Sequence, residues 1–248
     1  MAYYDFLNII FAPLLKLPVL WVVIILSFIV SVIIIVITKY TTDQTLMKKL
    51  KDDIKDYQKQ IKELKGNPAK AMEVQKKAME LNMKYMMHSL KPTIITFIPI
   101  ILIFGWMSST FAYESIKPNQ EFSISAFFDK NADGNAEIII TEGIEITNEK
   151  NKKIENGKAT WTLKGEEGEH ILEFAYNNEK QQKSILITNA EKYIEPIKKT
   201  SGAIKSIQID YNSRKILNLF GWKLGWLGTY IIFSIIFTMT LRKFMKVY

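Results

Sequence analysis

Apolar positions along the chain follow three rhythms. Three runs, 17–38, 92–113 and 224–241, contain no charged residue and are 22, 22 and 18 residues long. A bilayer core takes about 20 apolar residues per helix, so each run predicts a membrane-spanning helix, and a soluble globular protein is excluded. Residues 41–65 then place Leu46, Leu50, Ile54, Tyr57, Ile61 and Leu64 at spacings of 4, 4, 3, 4 and 3, the rhythm of a coiled-coil seam. Gly66, Asn67 and Pro68 signal a turn. A second seam follows at Ala71, Val74, Ala78, Leu81 and Tyr85. The pair predicts an antiparallel helical hairpin whose feet continue into the spans. From 120 to 211 the rhythm changes to short strand-like runs at 122–128, 137–147, 159–163, 170–176, 183–188 and 204–211. Asp133-Gly134, Asn156-Gly157 and the 165–168 segment punctuate them, which predicts a small β-sandwich.

The expected fold class is therefore an α-helical membrane protein with three transmembrane helices, a coiled-coil hairpin and an inserted all-β, sandwich-like domain. The expected divisions are an interfacial N-terminal segment (1–16), the first span (17–38), the hairpin (39–91) and the second span (92–113). The β-rich domain (114–211), a juxtamembrane segment (212–223), the third span (224–241) and a tail (242–248) follow. Residues 3–15 read as a short helix in the membrane interface or as an extension of the first span. That span does not read as a cleavable signal peptide: Asp5 precedes it, no basic region leads it, and its positive flank comes after.

Charge orients this layout. Segment 39–91 holds 13 Lys against 7 acids, net +6; 114–223 holds 16 basic against 17 acidic residues, net −1; the tail 242–248 is +3. Cytoplasmic loops retain Lys and Arg. The hairpin and C-terminus are thus expected inside a plasma membrane, with the N-terminus and the β-domain outside. The net charge of +8 then reflects orientation more than a nucleic-acid groove. With no cysteine in the chain, disulfides, thiolate metal sites and thiol catalysis are excluded.

No catalytic set emerges, so no enzyme is expected. His88 and His170 fall in segments assigned to opposite sides of the membrane, and no span carries an acid of the kind ion-coupled transport uses. The spans carry hydroxyls instead. Ser27, Ser31 and Thr38 share a helix face within about 40°; Thr93 and Thr96 lie near the inner end of the second span, and Ser234 and Thr238 are four apart on the third. They read either as interhelical and backbone hydrogen bonds or as the lining of a half-polar cytoplasmic groove. Met72, Met79, Met83 and Met86 form a stripe on the second hairpin arm. Methionine suits surfaces that meet varied apolar partners; the alternative is a widened packing face. Asp129, Asn131, Asp133 and Gly134 match the start of a calcium loop. Ile140 stands where its closing glutamate belongs, and the same residues make a good hairpin connection. Calcium is the one cofactor the sequence suggests.

The segments KYMMHSLKP (84–92), IPIILIFGW (98–106), FGWKLGWLGTY (220–230) and LRK (241–243), with the order of elements, resemble the archaeal YidC-like branch of the YidC/Oxa/Alb insertase superfamily. The resemblance covers about 1–113 and 212–248. It implies a membrane insertase or insertion chaperone that guides nascent transmembrane segments through a hydrophilic groove open to cytosol and lipid. Its implied partners are nascent membrane proteins, the bilayer, ribosomes and an accessory membrane subunit. Many relatives place an arginine in that groove. Here no span contains one, and Lys39 and Lys91 at the inner mouth are the nearest counterparts. The rival reading is a membrane-anchored binding module whose β-domain recognises an envelope partner; a subunit of a larger channel or receptor is a third.

Overall fold

The computed structural model describes residues 5–247. They divide into two compact units. One is Met107–Lys215; the other joins the described residues up to Trp106 with those from Ile216 onward.

The helical unit opens with α1 (Asp5–Phe11) and a 3-10 turn at Leu14–Lys16. Pro18 precedes α2 (Val19–Thr41), where proline's missing N–H costs nothing. Asp43 starts α3 (Gln44–Glu63): its carboxylate accepts the backbone N–H groups of Thr45 and Leu46 at 2.9 and 3.0 Å, the usual N-cap arrangement. After the turn at Leu64–Gly66, Asn67 caps α4 (Pro68–Phe111) by accepting the Lys70 N–H at 3.2 Å. This helix runs 44 residues without interruption. The second hairpin arm and the second apolar run are therefore one rod, with Pro92 and Pro99 inside it, each omitting one ladder hydrogen bond. α5 (Trp226–Met245) closes the unit. By length and composition, α2, α4 and α5 are long and apolar enough to cross a membrane.

Met47 on α3, outside the expected seam, is among the most buried residues of that helix. Leu50 and Ile54 on α3 and Ala78 on α4 are buried, the other seam positions are half-buried, and most positions between them face solvent. α2 buries Val22, Val23, Leu26, Val30 and Ile35 and packs along α5, with Phe28 edge-on to Phe237 at 5.3 Å. α4 meets α5 through Phe104, whose ring stands 4.7 Å from Tyr230 and 5.9 Å from Trp226. Between Ile216 and α5 lies a two-stranded hairpin, β10 (Leu217–Leu219) and β11 (Trp222–Leu224).

The other unit carries β1 (Phe122–Phe128), β2 (Asn135–Ile139), β3 (Ile144–Ile146), β4 (Asn151–Lys153), β5 (Lys158–Gly165), β6 (Gly168–Tyr176), β7 (Glu179–Ile187), β8 (Ile197–Lys199) and β9 (Ile204–Asp210). Two antiparallel sheets form, in the orders β3-β5-β1-β9-β8 and β4-β2-β6-β7. They share one core, in which Ile124, Trp161 and Leu163 from one sheet meet Leu172, Phe174 and Ile185 from the other. Trp161 and Phe174 stack edge-on at 5.4 Å, and the Trp161 indole donates to the Lys150 carbonyl at 2.9 Å.

The run read as one strand over 137–147 is two. β2 and β3 belong to different sheets, and the chain turns between them at Gly143, which has φ +85°. A Cβ there would be strained by that backbone and would lie 3.0 Å from the His170 ring. Entry to and exit from the unit are paired: Glu114 N–H donates to the Asn212 carbonyl at 2.9 Å, and Arg214 N–H to the Ala112 carbonyl at 3.0 Å. Tyr193 fastens this stem by donating to the Ser108 carbonyl at 2.6 Å and accepting the Ala112 N–H at 3.2 Å. Burial pushes its phenol up to about 12.

Candidate functional site

One face of α4 is apolar and open along most of its length. At 100° per residue, Met72, Met79, Met83 and Met86 fall within about 40° of a common direction, and so do Leu90, Ile94, Phe97 and Ile101. Every one of them is at least half exposed. The stripe covers about 44 Å at 1.5 Å per residue and passes from the lysine-rich arm into the uncharged segment without a break. The opposite face is the packed one, with Ala78, Thr96, Ile103 and Trp106 buried there. The methionines therefore stand outside the seam, as free apolar surface within this chain.

The hydroxyls are placed differently. Ser27 and Ser31 are fully buried, donating to the carbonyls of Val23 and Ser27 at 2.7 and 2.8 Å. Thr38 donates to Ile34 at 2.7 Å. Thr93 and Thr96 donate to Ser89 and Thr93 at 2.7 and 3.0 Å, with Thr96 buried and Thr93 exposed. Ser234 donates to Ile231 at 3.0 Å. Of these hydroxyls, that of Thr238 alone reaches another helix, lying 3.4 Å from that of Ser31. Ser31 and Thr238 thus meet at the α2–α5 contact, while Thr93 and Thr96 bond along their own helix. Lys39 near the end of α2 and Lys91 on α4 are both exposed.

These features lie mostly in a segment that a family model matches. Residues 8–126 match the family model of the integral membrane protein EMC3/TMCO1-like proteins. The match covers a little under half of the chain, from α1 through α4 into β1. That family belongs to the Oxa1/YidC/Alb3 insertase superfamily and is associated with membrane protein insertion rather than with enzyme activity. No curated protein and no solved structure matches the chain.

Within the matched segment, α1 docks on α4. The Trp106 indole donates to the Asn8 side-chain oxygen at 2.7 Å, and Phe11 lies 4.9 Å from the Trp106 ring. Sequence reasoning missed this pair, since a partner 98 residues away leaves no periodic trace. The one available signal was an asparagine among apolar residues at the start of the chain.

Outside the matched segment are two further places. In the Asp129–Asp133 loop, Asp129 pairs with Lys205 at 3.1 Å and Asp133 accepts the Gly134 N–H at 2.8 Å. Backbone contacts stitch the loop further: Ala132 N–H donates to the Asp129 carbonyl, and the Tyr176 hydroxyl to the Asp133 carbonyl at 3.0 Å. Asn131 is exposed. No group of three His, Cys, Asp or Glu side chains converges on a metal position among the described residues. The second place is a cleft of about 990 Å³ beside β7 and β8, lined by Lys183, Lys198, Lys199, Glu195 and exposed Ile171 and Ile197. Lys198 donates across it to the Gln182 carbonyl at 2.7 Å. Lys183 is buried and donates to the Glu195 carbonyl; desolvation pulls its ammonium below the usual lysine range.

Proposed function

We propose that the protein is a membrane insertase or insertion chaperone of the archaeal YidC-like type. The observation that carries this reading is the open apolar stripe of α4, within the segment that matches an insertion family. α3 and the first half of α4 would form an antiparallel coiled-coil hairpin in the cytoplasm, beside the ribosome or an accessory subunit. There the methionines receive the apolar part of a nascent segment, and the same helix face leads it into lipid. A client's polar flank meets a harder barrier, since a charged side chain at the bilayer centre costs about 2.5–3.5 kcal/mol on insertion scales. A hydrated inner vestibule would lower that barrier. In this reading Lys39, Lys91 and Thr93 stand at its mouth, Thr96 borders it, and Ser27, Ser31, Thr38, Ser234 and Thr238 make a polar seam behind it. The work is physical, and neither a nucleotide nor calcium enters it; Asp129, Asn131 and Asp133 act as a hairpin connection.

The test uses the protein reconstituted alone into liposomes with a single-span client. Insertion should be faster than in empty liposomes, and the acceleration should be larger for a client with a charged translocated flank than for a neutral one. Lowering the barrier by about 2.5 kcal/mol is worth nearly two decades in rate. Equal acceleration of both clients would remove the groove from the mechanism.

From the charge ledger we further propose that the hairpin and C-terminus lie in the cytoplasm, and the N-terminus and the β-rich unit outside the plasma membrane. Because the chain lacks cysteine, single cysteines report sidedness cleanly. Cysteine in place of exposed Lys153 should react with an impermeant maleimide added to intact cells. Cysteine in place of exposed Lys59 should react only after lysis. The opposite pattern would invert the protein and end this reading.

The cleft beside β7 and β8 favours one second reading, in which the outer unit binds an envelope partner and the spans are anchors.

A further inference from the structure

We infer that the β10–β11 hairpin is an in-plane anchor whose ligand is the lipid interface beside α5. Its register makes it two-faced. Leu217 pairs with Leu224 and Leu219 with Trp222, so these four apolar side chains share one face, while the Asn218–Lys223 pair takes the other. The apolar face is continuous with α5: only Gly225 separates Leu224 from the helix, and a Cβ on Gly228 would lie 3.2 Å from the Leu224 side chain. Trp222 and Phe220 are both strongly exposed, and Phe220 at the tip is entirely so.

The tip makes the strongest argument. Phe220 and Gly221 both have positive φ, +51° and +93°, as a two-residue type I′ turn requires. Asn218 supports the turn by accepting the Gly221 N–H at 2.9 Å. Asparagine or glycine is the residue this turn prefers at its first position. Phenylalanine pays a steric penalty there and gains no packing within the chain. A residue wrong for the local backbone and for water is right for the headgroup region, where aromatic rings settle. The polar face, carrying Asn218 and Lys223, then points back to water. The inference requires only that α5 span the membrane. It stands whichever side the hairpin occupies and whether or not the protein is an insertase.

The test uses full-length protein in liposomes, with single cysteines carrying an environment-sensitive fluorophore. A probe in place of Phe220 should show apolar emission and lose at least half its intensity when headgroup- or shallow-spin-labelled lipids are included. A probe in place of Asn218 should be quenched by aqueous iodide instead. F220N creates the favoured Asn-Gly turn and so keeps the hairpin; combined with a probe in place of Leu219, it should reduce lipid quenching there at least twofold with the circular dichroism unchanged. Water-like emission at position 220 without lipid quenching would overturn the proposal. So would a probe that is open to iodide in liposomes of the pure protein yet shielded in native membranes, because that pattern assigns the hairpin to a protein partner. Undiminished quenching in the F220N variant would show that Phe220 is not the anchor.

Discussion

Replacing Met72, Met79, Met83 and Met86 together by glutamine is expected to leave the protein folded and to abolish its hold on apolar clients. Each of the four is more than half exposed, so little packing within the chain is lost, and glutamine is nearly as good a helix former as methionine. Substitutions at such sites typically stay within about 0.5 kcal/mol. The client side of the balance differs. Full burial of a methionine side chain is worth about 1.5–3 kcal/mol. If a client covers each residue only in part, at about 1 kcal/mol, four contribute about 4 kcal/mol together. At about 1.4 kcal/mol per decade that is several hundredfold in affinity. Photocrosslinking from position 76, an exposed neighbour at the edge of the same face, to a ribosome-bound nascent chain should measure it directly. Four leucines in the same places should retain most of the capture, because the surface is recognised by apolarity and adaptability rather than shape. Capture by the glutamine variant at the parent level would show that the stripe is not the receiving surface.

This stripe was legible in the sequence only by half. The methionine spacing marked a face, but periodicity cannot tell a face packed by a neighbour from one left open. The seam residues and the methionines repeat with similar rhythm about a quarter turn or more apart, and burial alone separates them. The continuation through Leu90, Ile94, Phe97 and Ile101 was hidden for another reason: in an uncharged run every side of the helix is apolar, so no side stands out. The same limit applies to the hydroxyls. Ser27, Ser31 and Thr38 lie within about 40° on α2, yet a hydroxyl in a helix always has the carbonyl four residues earlier within reach, and that is where all three protons go.

In the β-rich unit, alternation marked most of the longer strands because their buried residues recur at every second position, as in β5 and β7. β4 and β8 are three residues long and rich in lysine. Edge strands are commonly built this way to discourage further pairing, and such strands carry too little apolar pattern to be read. β2 and β3 read as one run because both carry isoleucines and only residues 140–143 divide them. The β10–β11 hairpin escaped notice because its apolar residues run directly into those of α5, and a phenylalanine at a left-handed turn position is the opposite of a turn signal.

Excising residues 115–211 and joining Glu114 to Asn212 through Asn-Gly should leave a folded, three-helix protein with insertion activity within about twofold of the parent. The geometry permits the joint: Glu114 and Asn212 already face each other in an antiparallel pair, with the N–H of one 2.9 Å from the carbonyl of the other, and Asn-Gly closes such a pair as a two-residue turn. The excised stretch takes its own core with it, since every residue of the cluster around Trp161 and Phe174 lies between Ile116 and Tyr211. The helical unit loses none of its buried apolar residues; Leu26, Val30, Ile35 and Leu50 pack within that unit. The stem loses both Tyr193 hydrogen bonds, a cost of about 1 kcal/mol for each at a typical value, and Arg214 loses its 2.6 Å ion pair with Glu191 but gains water. The two readings of the molecule part at this variant. If the spans and hairpin do the work, charged-flank clients still insert, because the stripe of α4 and the lysines at its mouth are untouched. If the spans are anchors for a binding module, the variant keeps its place in the membrane and loses all function. A tenfold loss of insertion by a variant that is still helical, monodisperse and membrane-integrated would move the active surface into the β-rich unit, to the lysine-lined cleft beside β7 and β8.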